Sequence, residues 1–164
     1  MESWSIEMDK EDFKFSAAHF LIFPDGTPER LHGHNYRVYV QVQAALTEHG
    51  LVLDFKMVKP VIRALVDELD EHWLLPGRHP GLRVTPQDGA RVEVRYRDRY
   101  YVAPQEDVIV LPVNNTSAEN LSTWIGHELR RRLLERFPRL ALERLEVAVE
   151  ESPGQRGVYR YARD

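Results

Sequence analysis

Cysteine is absent from the 164 residues. Folding therefore gains nothing from disulfides, the redox compartment leaves no mark in cysteine usage, and no chemical step can use a thiolate. Long apolar runs are absent too: none approaches the roughly 20 residues that a membrane-spanning helix needs. The first residues, MESWSIEMDKEDF, are acidic and hold no apolar stretch of the secretory-signal kind. The expectation is a cytoplasmic protein with no membrane partner. Nor is there an excess of one charge. Lys and Arg total 22 against 26 Asp and Glu, a formal net charge of −4, which exerts no general pull on nucleic acid or anionic lipid. Repeats and low-complexity tracts are missing. What remains is a chain with 43% apolar residues, enough for one domain (1–164) with a real hydrophobic core.

The periodicities point to an α+β fold. Phe13 and Phe15 alternate with Lys14 and Ser16 ahead of a turn, PDGTPE, at 24–29. Tyr36, Val38, Val40 and Val42 alternate with Arg37, Tyr39, Gln41 and Gln43, as in a half-buried antiparallel strand. Asp54 is placed to cap a helix over about 56–69, whose apolar residues Val58, Ile62, Leu65, Val66 and Leu69 recur at steps of three and four. Residues 78–89 are rich in Pro and Gly and read as a loop. Residues 90–103 read as a hairpin turning near Asp98, and DVIVLPV adds an apolar strand. A second helix starts near Ser117, anchored by Leu121, Trp124, Ile125, Leu129 and Leu133, with Arg130 to Arg132 near its C-terminal end. Residues 142–152 alternate as a strand, and a turn leads into a last one. Strands joined by turns around two long helices suggest an antiparallel sheet with helices on one face.

His32 and His34 flank Gly33, and His19 lies just upstream. On a strand, positions i and i+2 share a face, so these two imidazoles can converge on one ion. His19 can join them if its strand pairs with theirs. Three histidines leave a fourth coordination position open, the pattern of a catalytic zinc site. Unrelated surface or core histidines would give the same letters, and the His-x-His spacing alone does not choose.

The surrounding motifs do more. FSAAH, LHGHNY, LDF opening a helix with Lys59 inside, LD near its end, a Ser-x-Glu-Asn helix start and VEES occur in an order and spacing similar to the 6-pyruvoyl-tetrahydropterin synthase / 6-carboxytetrahydropterin synthase family. The resemblance covers nearly the whole chain, apart from an insert at about 75–112. It implies the tunnelling fold, a four-stranded antiparallel sheet with two long helices on one face, here with an added hairpin. It also implies a homo-oligomer, commonly a hexamer built as a dimer of trimers. Zn2+ would be held by His19, His32 and His34. Glu151 would grip the amino-pyrimidine edge of a pterin, since a carboxylate accepts two parallel N–H bonds from a guanidine-like edge. By strand alternation Glu150 should face the other way. Ser117 and Glu119 match the segment lining the pterin pocket, and Ser117 also suits a plain helix cap.

Two departures stand out. Familiar members carry a catalytic cysteine shortly before the first histidine of HGH. This chain has Glu29-Arg30-Leu31-His32 instead, resembling a subgroup in which glutamate replaces the cysteine. There the implied reaction is side-chain cleavage of 7,8-dihydroneopterin triphosphate to 6-hydroxymethyl-7,8-dihydropterin, with Glu29 moving the proton; a surface loop glutamate is the plain alternative. The family also has an Asp-His pair after the first helix, where this chain reads Asp70-Glu71-His72. Asp70 and His72 can pair across the extra residue, Glu71 can take the place, or His72 can simply end the helix. Three functions follow: a zinc-dependent pterin lyase using Glu29, a pyruvoyl- or carboxy-tetrahydropterin synthase, or a non-catalytic pterin- or purine-binding relative. The basic and aromatic run RVEVRYRDRYYV suits an RNA-stacking surface, but a hairpin with one apolar face explains it more simply, and no nucleic-acid partner is expected.

Overall fold

The computed structural model describes residues 2–163. The strands are β1 (Ser5–Met8), β2 (Lys14–His19), β3 (His32–Ala44), β4 (His72–Pro76), β5 (Arg83–Gln87), β6 (Arg91–Tyr96), β7 (Arg99–Pro104), β8 (Val108–Leu111), β9 (Leu142–Ser152) and β10 (Gln155–Ala162). The helices are α1 (Phe55–Asp67) and α2 (Ala118–Arg136). The main sheet runs β10-β9-β3-β2-β4-β8, with β1 also paired to β3 beyond the start of β2. Its heart is the expected antiparallel set of β2, β3, β9 and β10.

The expectation of a purely antiparallel four-stranded sheet needs correction. β4 pairs with β2 and β8 pairs with β4, both in parallel, so the sheet is mixed and wider. The sequence basis lies in Trp73 to Pro76, a short continuous apolar run buried along its length, of the kind that strands covered on both faces adopt; β8 is the edge beyond it, with Val110 exposed. Leu74 packs into the main core, while Trp73 and Leu75 point to a second one. That second core lies under a separate three-stranded sheet, β5-β6-β7, whose Val92, Val94 and Tyr96 pack on Phe20, Ile22, Trp73 and Leu75. The hairpin of the insert thus becomes a small layer over one end of the large sheet. Residues 83–87, expected as loop, form its edge strand, where Pro86 is tolerated because an edge position needs no further donor.

Both helices bury their apolar stripes in the main core. Asp54 accepts a bond from the Lys56 amide at 2.8 Å, and Val58, Ile62, Leu65 and Val66 face inward. α1 stops at Asp67 rather than 69, yet Leu69 remains buried in the turn that follows. Ser117 caps α2 by accepting from the Asn120 amide at 3.3 Å, and Leu121, Ile125, Leu129 and Leu133 meet β3 and β9 residues in the same core. Among the described residues no helix is long and apolar enough to cross a membrane.

Candidate metal and pterin site

The register of two strands assembles the histidines. β2 and β3 pair with His19 opposite His32 and Ala17 opposite His34. Alternation along β3 turns His32, His34 and Tyr36 to the helix side of the sheet. A Cβ at Gly33 would sit 3.2 Å from the Ala17 carbonyl oxygen, so the glycine permits the close approach of these strands. The ring centroids are 4.8 Å apart for His19 and His32, 5.1 Å for His19 and His34, and 4.8 Å for His32 and His34. One nitrogen from each ring lies within 4.8 Å of the other two.

Neighbouring carbonyls orient two of the rings. His19 Nδ1 bonds the Thr116 carbonyl at 2.9 Å, and His32 Nδ1 bonds the Arg30 carbonyl at 2.7 Å. A carbonyl oxygen can only accept, so each Nδ1 carries a hydrogen, and in the neutral ring the lone pair is left on Nε2. His19 Nε2 and His34 Nε2 are buried without a hydrogen-bond partner among the described residues. Such orphan atoms are costly unless something else satisfies them. Burial holds His19 below the ordinary imidazole range, with the two neighbouring histidines adding to the effect against the Thr116 bond and the Glu151 charge. A neutral imidazole is the form that ligates metal. Three imidazole nitrogen donors suit zinc, and the residues therefore fit that ion.

Carboxylates border the cluster. Glu151 follows Val147 and Val149 on the inward face of β9, and its Oε1 lies 3.1 Å from His34 Nε2, outside the angular range of a hydrogen bond. Glu150 faces the other way and accepts from the Tyr39 hydroxyl at 3.3 Å. Glu29 lies on the loop joining β2 to β3. Its Oε2 accepts from the Leu21 amide at 3.0 Å and lies 3.9 Å from His32 Nε2. Below the histidines, the buried Tyr36 hydroxyl has no partner; burial, then the charges of Glu151 and Glu29, push its ionisation far above the ordinary phenol range.

The structure separates the side chains of Asp70 and His72. The Asp70 carboxylate accepts from the Ser16 amide at 2.7 Å, whereas His72 Nδ1 bonds the main-chain carbonyl of Asp70 at 2.6 Å. Between them Glu71 adopts a left-handed conformation, φ 59°, and its amide bonds the Ser16 carbonyl at 2.7 Å. His72 opens β4 rather than ending α1. It pairs with Ala17, which pairs on its other side with His34, so the two histidines stand two strand spacings apart, roughly 10 Å. Both, with Glu71 and Trp73, line a cleft of about 440 Å³. Ser117 is engaged as the α2 cap, and Glu119 occupies the first turn of that helix. The turn rests on β10 at Gly157, where a Cβ would overlap the backbone of Ala118 and Glu119. Gly157 pairs with Val149, two residues before Glu151.

Several partners carry no sequence signal. Thr116 and Arg30 act through carbonyl oxygens, which any residue possesses. Tyr36 was legible as the next inward position of the alternation His32, His34, Tyr36.

The described residues thus bring three imidazoles together on the helix side of a mixed sheet, with carboxylates beside them, an arrangement that could hold a metal ion. The family model for 6-pyruvoyl tetrahydropterin synthase matches residues 7–162, and the chain belongs to that family. A protein of Methanocaldococcus jannaschii, provisionally named a 6-carboxy-5,6,7,8-tetrahydropterin synthase, is 32% identical over 148 residues, which span 90% of this chain and 89% of that protein. The 6-carboxy-5,6,7,8-tetrahydropterin synthase of Rickettsia bellii is 28% identical over 123 residues, spanning 74% of this chain and 79% of its own. Among solved structures, the 6-pyruvoyl tetrahydropterin synthase of Plasmodium vivax superposes with a TM-score of 0.91 at 27% identity, over 99% of this chain and 100% of that one. The same parasite protein has been solved with a glutamate, described as a catalytic residue, replaced by alanine and by cysteine.

Proposed function

We propose that the protein is a zinc-dependent lyase that remodels the C6 side chain of 7,8-dihydroneopterin triphosphate or a close pterin, as a 6-carboxy- or 6-pyruvoyl-tetrahydropterin synthase does. The observation that carries this reading is the trio of His19, His32 and His34, with two buried, unpartnered Nε2 atoms and the Glu151 carboxylate beside them. His19, His32 and His34 would hold the zinc, which when bound supplies Lewis acidity to a substrate hydroxyl. The Thr116 and Arg30 carbonyls keep the His19 and His32 imidazoles in one orientation. Glu151 accepts two N–H bonds from the amino-pyrimidine edge and so sets the ring's register. Tyr36 and the apolar residues beneath it exclude water from that side. Ser117 and Glu119 shape the pocket through the first turn of α2. His72, held at Nδ1 by the Asp70 carbonyl, presents its other nitrogen for proton transfer.

No thiolate exists in this chain, so Glu29 takes and returns the proton that a cysteine moves in other members. The catalytic glutamate of the Plasmodium vivax protein supports a carboxylate in that role on this fold. The same absence of cysteine favours a second reading, in which the side chain is cleaved to leave 6-hydroxymethyl-7,8-dihydropterin. Assembly as a homo-oligomer, a dimer of trimers, belongs to the proposal; the open sheet edges at β8 and β10 support it.

The test is to incubate the zinc-loaded protein with 7,8-dihydroneopterin triphosphate and identify the pterin product by mass. A carboxy or pyruvoyl product supports the first reading, and a hydroxymethyl product the second. Unchanged substrate would contradict a lyase and leave pterin binding alone.

A further inference from the structure

Two arginines of the insert, Arg97 and Arg99, reach the loop that carries Glu29. This loop, residues 20–31, begins after His19 and ends at His32, so its shape sets where Glu29 stands relative to the histidines. Its main-chain bonds are the Phe23 amide to the Thr27 carbonyl, the Gly26 amide to the Phe23 carbonyl, and the Glu29 amide to the Leu21 carbonyl, with the Asp25 and Glu29 carboxylates accepting from the Thr27 and Leu21 amides. Asn115 binds Ile22 from one side in both directions, at 2.9 and 3.2 Å. From the other side comes the turn between β6 and β7. The Tyr96 hydroxyl donates to the Gly26 carbonyl at 2.9 Å, and Arg97 to the Asp25 carbonyl at 3.3 Å. Arg99 donates from one guanidinium nitrogen to the Glu29 carbonyl and from the other to the Pro28 carbonyl, the latter at 3.2 Å.

We infer that Arg99, assisted by Tyr96 and Arg97, is a positioning residue: the small insert sheet is a clamp that holds Glu29 in place for proton transfer. This rests on the reading of Glu29 as the proton carrier. Arg99 takes the main-chain oxygen of Glu29 and leaves its carboxylate to the Leu21 amide and the site. The amide and carbonyl of Glu29 are then both fixed, which fixes the base of its side chain. The planar fork of an arginine spans two successive carbonyls, whereas a lysine reaches one. Rigid attachment matters because a displacement of about 1 Å at a reacting group can cost on the order of 100-fold in rate. Packing of Val92, Val94 and Tyr96 on the second core gives the clamp a firm base.

The experiment is a double-mutant cycle on the zinc-loaded protein with 7,8-dihydroneopterin triphosphate, comparing wild type, Arg99→Ala, Glu29→Gln and the double variant. Product formation at saturating substrate gives kcat, and amide hydrogen exchange at Leu21 and Glu29 reports loop position independently of activity. Arg99→Ala should lower kcat by about 10- to 100-fold, leave KM and zinc content nearly unchanged, and speed exchange at both amides. Added to Glu29→Gln it should cost nothing more, because the group it positions is already inert. Arg99→Lys should recover part of kcat. If Arg99→Ala does not fold, Tyr96→Phe removes only the Gly26 bond and should show a smaller loss that also vanishes in the Glu29→Gln background. Wild-type turnover in the Arg99 and Tyr96 variants, or losses that multiply in the double variant, would overturn the clamp while leaving Glu29 in its role. Full activity in Glu29→Gln alone would instead remove Glu29 from the chemistry, and the clamp's purpose with it.

Discussion

Glu151→Gln should weaken pterin binding without disturbing the metal. Glutamine preserves the size of the side chain and one carbonyl acceptor but removes the charge. Glu151 stands on the inward face of β9 with about a quarter of its side chain exposed, 3.1 Å from His34 Nε2. There it can accept a charge-assisted pair of bonds from an amino-pyrimidine edge. A hydrogen bond to a charged group contributes roughly 1.5–3 kcal/mol, which corresponds to about 10- to 150-fold in Kd at about 1.4 kcal/mol per tenfold. Calorimetric titration of the zinc-loaded protein with 7,8-dihydroneopterin measures this directly. Glu150→Gln is the internal control, because Glu150 lies on the opposite face and pairs with Tyr39; its titration should match the wild type. Zinc content should be equal in all three proteins. Unchanged affinity in Glu151→Gln, or an equal loss in Glu150→Gln, would refute the assignment of the pterin-gripping carboxylate to β9's inward face.

Glu29→Gln should lower turnover by about 10²–10⁴-fold, the usual contribution of a positioned acid or base, with unchanged zinc content, since its amide oxygen can still accept from Leu21; a loss under twofold in product formation would exclude the role. In the metal-free protein, His19 titrates below its ordinary value near 6.5 because it is buried. The unfolded chain then binds this proton first as pH falls, so the stability is full above pH 6.5 and declines from there down through the folded-state value. Urea midpoints of chelator-treated protein should fall across that window, and a His19→Gln variant should lack this component; a flat wild-type profile from pH 7.5 to 5 would contradict it.

β2, β3 and β9 were legible because each buries one face, and alternation such as Tyr36, Val38, Val40, Val42 records it directly; β1 (Ser5–Met8) was not legible as a strand. The caps Asp54 and Ser117 marked the helix starts through side chains that bond amides. β4 was not legible: Trp73, Leu74 and Leu75 are all buried, so period two disappears and leaves the run after the helix without an element. β5 was hidden by the Pro and Gly around it, and its identity as a strand comes from β6 alongside. In the site, the His19, His32, His34 trio was readable as spacing plus strand geometry. The engagement of Asp70 with Ser16 was not, because it depends on a left-handed Glu71 and on main-chain groups that leave no mark in side-chain chemistry. The insert reads as a hairpin with one apolar face, and β6 and β7 form it, but only the chain's path shows Arg97 and Arg99 turned to carbonyls of the loop at 25–29.

In the proposed site, His19, His32 and His34 would together hold one zinc per chain. The direct measurement is metal content by plasma mass spectrometry of protein purified without added metal, then dialysed against one equivalent of zinc, for wild type and the His32→Ala/His34→Ala double variant. The wild type should retain about one zinc per chain through a site of three nitrogen ligands, and the double variant should retain almost none while keeping its fold by circular dichroism. Stoichiometric zinc in the folded double variant would place the metal elsewhere and contradict the site.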